Sequence, residues 1–204
     1  MECNDKALSN VVLRHNERCK DCKTVVYKML VKIYKDVENG YKIAIGIKPD
    51  DFSELSCFPA LQEIYALLEQ GRGYTNYVKA KTLPKCDYYV ASEGFVLEFD
   101  ESQHFSARRK LALLHYPSDL KLGYERRKWI CLCDSINARD NDPYYRDEQR
   151  AWYDTLRDFL PMIKGLKPTV RLYSKEIQWC SLNPESIDDV NKFDALIKAK
   201  LGVQ

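Results

Sequence analysis

The sequence predicts an α/β fold: a mixed central sheet, built from an antiparallel hairpin with parallel additions, and helices on both faces. Three observations lead there. The stretch Cys86–Ala91 and the stretch Phe95–Phe99 read as two short strands. Between them Ser92, Glu93 and Gly94 supply a tight turn, in which Gly94 takes the positive φ that other residues resist. After the hairpin, helix-like and strand-like segments alternate, which implies parallel strands joined by crossovers. At 204 residues the chain is long enough for a sizeable core.

The elements follow in order. Lys23–Val37 carries Val25, Val26, Met29, Leu30, Ile33 and Tyr34 at the spacing of one buried helix face, and Asn39-Gly40 ends it. Tyr41–Ile47 is short and β-like. Lys48-Pro49-Asp50-Asp51 reads as a linker, dividing an N-terminal helical extension, 1–47, from an α/β domain, 48–204. Pro59 should open a helix to about Gln70, with Ala60, Leu61, Ile64, Leu67 and Leu68 as its apolar stripe. Tyr74–Lys81 reads as an extended edge, and Ser106 as the cap of a helix to Leu114. Lys128–Cys133 (KWICLC) reads as a buried strand. Asp142-Pro143 reads as the start of a helix to about Leu160, with Tyr145, Trp152, Leu156 and Phe159 inward and its charges paired at the surface. Thr169–Tyr173 is expected as a strand, and Ser186 or Asp188 as the start of a last helix to about Leu201.

Composition bounds the function. With 45% hydrophobic and 30% charged residues the chain is an ordinary globular protein, and a net charge of +2 does not by itself announce a nucleic-acid partner. The sequence has no apolar run long enough to span a bilayer, and MECNDKALSN lacks the apolar core of a signal peptide, so a cytoplasmic location is the expectation. The eight cysteines are then expected as reduced, mostly buried thiols. His15, Cys19 and Cys22 together make half of a zinc site, for which Cys3 is the obvious local further ligand and a remote cysteine the other option.

The chemistry is concentrated between Cys86 and His104. Glu98 sits inside an apolar run, FVLEF, where a bare charge costs several kcal/mol unless it is paired or holds a cation. Asp87 could meet it across the hairpin, and Asp100, two residues on, points to the same face of the strand. Three converging carboxylates repel one another unless a proton or a divalent cation intervenes.

Asp87, followed at a distance by Glu98-Phe99-Asp100 and then Gln103-His104, resembles the metal-binding hairpin of the PD-(D/E)xK nuclease superfamily. It is most similar to the very-short-patch-repair endonuclease-like branch, with Glu101 where that branch usually has Gly. The order of elements extends the resemblance to about Asp51–Tyr173. It implies a restriction endonuclease-like fold and Mg²⁺-dependent, or Mn²⁺-dependent, hydrolysis of phosphodiesters, with DNA as the expected substrate. Asp87 and Glu98 would then be metal ligands. Asp100, standing where most of the superfamily has Lys, would be a further ligand. His104 would be a general base or a metal or phosphate contact, Gln103 would orient a water, and Glu63 would add a carboxylate from the preceding helix. Lys85, Arg108, Arg109 and Lys110 would bind the nucleic acid, and Arg108, Arg109 or Lys110 could supply the missing positive charge. A catalytically degenerate nucleic-acid-binding module of the same fold is the alternative. A structural or interaction protein, in which the Tyr/Trp-rich helix joins a partner or a homodimer, is a further one.

Overall fold

The structure, a computed structural model, describes residues 19–202. Helix α1 (Lys20–Ile33) leads into β1 (Val37–Asn39). Helix α2 (Phe58–Arg72) precedes the hairpin strands β2 (Tyr88–Val90) and β3 (Phe95–Asp100). A helical run then follows: α3 (Ala107–Leu114), α4 (Arg126–Ile136), α5 (Arg146–Asp158) and α6 (Leu160–Lys164). Strand β4 (Val170–Tyr173) and helix α7 (Ile187–Leu201) complete the order.

Among the described residues the sheet has four strands in the order β1-β2-β3-β4. Pairing is antiparallel from β1 through β3, and β4 adds in parallel to β3 with Glu98 opposite Arg171. The α/β class and the mixed sheet therefore match the sequence-based expectation. Gly94 closes the hairpin turn at φ 68°, and its N–H donates to the Val90 carbonyl.

The two-residue period of the strands sorts their side chains between two layers. Phe95, Leu97, Phe99, Val170 and Leu172 pack with α1 and α7 around Trp179 and Phe193. Alternate positions carry Val96, which packs against Leu160, the charged residues Glu98 and Arg171, which pair with α5, and Asp100, which pairs with Arg171. A larger apolar cluster joins α2 to α5 through Leu61, Leu68, Leu113, Trp129, Trp152 and Phe159. Although α1 and β1 precede the expected boundary at Lys48, they belong to this same layered arrangement, through β1–β2 pairing and the buried face of α1.

Several expected elements differ. Lys128–Cys133 lies in helix α4, not in a strand. Its buried residues are Trp129, Leu132 and Cys133, the i, i+3, i+4 set of a helix face, which a continuous apolar run conceals. No strand forms at Tyr74–Lys81, where Asn76 takes φ 57° and the adjacent Tyr77 and Val78 are both buried, breaking any alternation. Tyr41–Ile47 is likewise outside any strand, although the Tyr41 carbonyl accepts the Cys86 N–H. Helix α5 begins at Arg146, after a turn in which the Arg146 N–H donates to Pro143. The charges of α5 are largely interior: Asp147, Glu148, Asp154, Arg157 and Asp158 are all buried. Helix α5 packs on α2 and α3, and its residues from Ala151 to Asp158 are all buried.

Candidate functional site

Asp87 precedes β2, and Glu98 lies in the middle of β3, so hairpin register alone brings them together. The Asp87 N–H donates to Glu98 Oε1 at 3.3 Å, and the Phe99 N–H donates to Asp87 Oδ2 at 2.8 Å. A residue from a distant part of the chain joins them. Lys23, on α1, places Nζ 3.3 Å from Asp87 Oδ1 and 3.7 Å from Glu101 Oε1. Burial works against the charge on Lys23, but Asp87 and Glu101 outweigh it and raise its pKa. This corner remains open, with the Asp87 side chain 27% and the Lys23 side chain 38% exposed.

Glu98 itself is almost enclosed. Arg157 of α5 brings Nε to 3.1 Å from Oε1, yet that buried nitrogen makes no hydrogen bond, so the approach is a poorly aligned ion pair. Burial consequently dominates, and the Glu98 carboxyl is pushed up to about 7.

Asp100 departs from expectation. It is buried, with Oδ1 accepting from Arg171 at 2.7 Å and Oδ2 accepting from the Trp129 indole at 2.7 Å. Both oxygens are held by protein donors, which makes Asp100 an internal anchor between β4 and α4. Arg171 also binds Asp158 Oδ1 at 2.7 Å and reaches Asp154 Oδ1 at 3.4 Å. Asp158 in turn accepts from Arg109 and from the hydroxyls of Tyr116 and Tyr124. Burial opposes ionisation of Asp154 and Asp158. The charges of His104 and Arg171 nonetheless hold Asp154 well below the usual carboxylate range, and Arg171 and Arg109 lower Asp158.

His104 is drawn into this network. Its Nδ1 lies 2.9 Å from Asp154 Oδ2 and 3.8 Å from Asp100 Oδ1. Burial alone would discharge the imidazole, but Asp154 and then Asp100 prevail and raise its pKa. Four carboxylates (Glu98, Asp100, Asp154, Asp158) thus meet three guanidiniums (Arg109, Arg157, Arg171) and one imidazole. The set balances when His104 is protonated and Glu98 is ionised.

The remaining expected residues fall in different places. Gln103 is exposed and donates to Glu101. Glu63 is exposed on α2, a helix that packs on α3, on the 3-10 segment Pro49–Phe52 and on α5. Arg109, expected as a nucleic-acid contact, is 1% exposed and bound to Asp158, so it cannot reach a phosphate. Arg108 lies 4.0 Å from Glu148, and Lys110 pairs with Asp134. Lys85 remains exposed. His15 lies outside the described residues. Cys19 and Cys22 are brought together with Cys180, and this trio is the one group of three or more potential ligands within 4.8 Å of one another among the described residues. Asp87, Glu98 and Asp100 form no such group.

Sequence reasoning missed Lys23, Asp154, Arg157 and Arg171 as parts of this site. One signal existed: Arg171 sits in an apolar strand, TVRLY, just as Glu98 does, and two lone opposite charges in two buried strands are candidates for each other's neighbourhood. Lys23 carries no local signal, because its partners are far away in sequence. Comparison of the chain with protein-family models, curated proteins and solved structures finds no match.

Proposed function

We propose that the chain is a restriction endonuclease-like, metal-dependent phosphodiesterase acting on DNA, with its reactive corner at Asp87, Glu98 and Lys23. The observation that supports this most directly is the locked Asp87–Glu98 pair with an ammonium 3.3 Å from Asp87. Lys23 offers, from α1, the positive group that the sequence lacks at Asp100. The donor set suits a hard cation, with oxygen ligands from Asp87 and Glu98. Such an ion, when bound, would lower the pKa of water and neutralise phosphate charge. Lys23 would face the phosphate. His104, oriented through Nδ1 by Asp154, would hold a proton at its other ring nitrogen. Exposed Lys85, beside the hairpin, is a phosphate contact in this reading.

The test is cleavage of plasmid, single-stranded DNA and RNA in Mg²⁺ or Mn²⁺. Asp87→Asn and Lys23→Ala should each abolish cleavage while leaving the unfolding transition in place. Cleavage retained by Asp87→Asn rules the reading out.

A second reading, a nucleic-acid-binding protein without catalysis, is favoured by one observation: Arg157 already faces Glu98 at 3.1 Å, where a metal would compete with it. Binding in EDTA, with no cleavage of any substrate by the wild type and no heat of Mg²⁺ binding, selects this alternative over the first.

A further inference from the structure

The structure assigns a second, chemically distinct metal site: we propose that Cys19, Cys22 and Cys180 bind a structural zinc ion that pins α1 to the turn following β4. Cys19 caps α1, Cys22 lies in its first turn, and Cys180 lies in the 3-10 turn Trp179–Ser181. The three sulfurs lie within 4.8 Å of one another. In tetrahedral thiolate coordination, Zn–S bonds of about 2.3 Å put sulfurs about 3.8 Å apart. Closing the trio onto an ion therefore takes a small inward movement of side chains and no rebuilding of the backbone. The Cys-x-x-Cys spacing at a helix start and a third sulfur from a remote segment are the arrangement that thiolate zinc sites use.

Opposing effects act on the sulfurs. Cys19 and Cys22 sit at the positive end of α1, which favours thiolates. Burial pushes the Cys22 thiol up to about 12, while a hydrogen bond from the Cys180 backbone acts in the opposite sense. A metal would displace the thiol protons, so its affinity should climb with pH. Soft sulfur donors select zinc over the magnesium expected at Asp87 and Glu98, so the two sites would take different ions. The place has structural consequence. Cys22 packs in the same apolar cluster as Trp179, Phe99 and Val26, and α1 also carries Lys23. A zinc ion here would hold the helix that delivers the ammonium to Asp87. A fourth ligand completes such sites.

The experiment is metal analysis of the reduced full chain purified without chelator, followed by Co²⁺ titration of the stripped protein. The expected result is stoichiometric zinc, and with Co²⁺ a near-ultraviolet sulfur-to-metal charge-transfer band and tetrahedral visible bands. Cys180→Ser should weaken the charge-transfer band and lower zinc affinity at least tenfold, whereas Cys133→Ser, a buried cysteine outside the trio, should not. If Cys180→Ser fails to fold, half-buried Cys19→Ser serves the same purpose. Absence of the charge-transfer band in the wild type, or a band unchanged in both cluster variants, overturns the proposal. Neither result bears on cleavage at Asp87.

Discussion

Replacing Asp100 by Asn separates two roles for that carboxylate by the sign of the stability change. In the structure Asp100 accepts one strong hydrogen bond at each oxygen, from Arg171 and from Trp129, both at 2.7 Å. Asn keeps one acceptor, so one buried donor loses its partner and meets an amide N–H instead. Leaving a buried donor unsatisfied costs about 1–3 kcal/mol, and losing a charge-assisted hydrogen bond about 1.5–3 kcal/mol. Breaking a buried ion pair by removing one member costs about 3–5 kcal/mol. Arg171 retains Asp158 and Asp154, which places Asp100→Asn at the low end, about 3 kcal/mol. For a chain of this size that is a fall of about 6–12 °C in Tm. If Asp100 were instead a ligand in a self-repelling carboxylate trio, removing its charge would stabilise the metal-free protein. Urea unfolding followed by far-ultraviolet circular dichroism, in EDTA at pH 6, reads the difference. A midpoint unchanged or raised in Asp100→Asn would refute the anchoring role. In a double-mutant cycle, Arg171→Met should cost less in the Asp100→Asn background than in the wild type, because the pair is coupled.

The remaining predictions concern pH and backbone. Folding raises Glu98 to about 7 from 4.5, so its contribution to stability falls as pH climbs between those values, by about 3 kcal/mol in all. His104, also raised, adds stability that is present below 6.5 and lost as pH rises through its folded pKa. Asp154 and Asp158, both lowered from 3.8, add stability that is present above that value and lost as pH falls. Stability should therefore peak on the acid side of neutrality; the urea midpoint should be higher at pH 6 than at pH 8, and Glu98→Gln should flatten the difference. A wild-type midpoint that climbs from pH 6 to pH 8 contradicts this balance. Gly123→Ala should destabilise by about 2 kcal/mol, because a Cβ there would lie 2.6 Å from the Thr169 carbonyl oxygen and 2.9 Å from the Val170 Cα, neither of which can swing aside. An unchanged melting curve for that variant would show that the contact relaxes freely.

Local signals in the sequence located the hairpin, the helix stripe of α2, the Ser106 cap and the strand TVRLY, and narrowed the start of the last helix to Ser186 or Asp188, because turn chemistry, periodicity and capping act over a few residues. The sequence also marked Glu98 as a charge requiring a partner, since an acid in a buried strand is costly wherever the strand lies. It could not say which partner. Arg171 reaches Asp100 through parallel pairing of β4 with β3, and Arg157 reaches Glu98 from a helix laid across the sheet. Lys23 meets Asp87 across 64 residues of chain. Cys180 meets Cys19 and Cys22 by the same kind of long-range closure. Side-chain identity fixed which charges and sulfurs the interior had to accommodate. Only the packing of distant segments decided their neighbours, because electrostatic and coordinate bonding depend on separation in space and not on position along the chain.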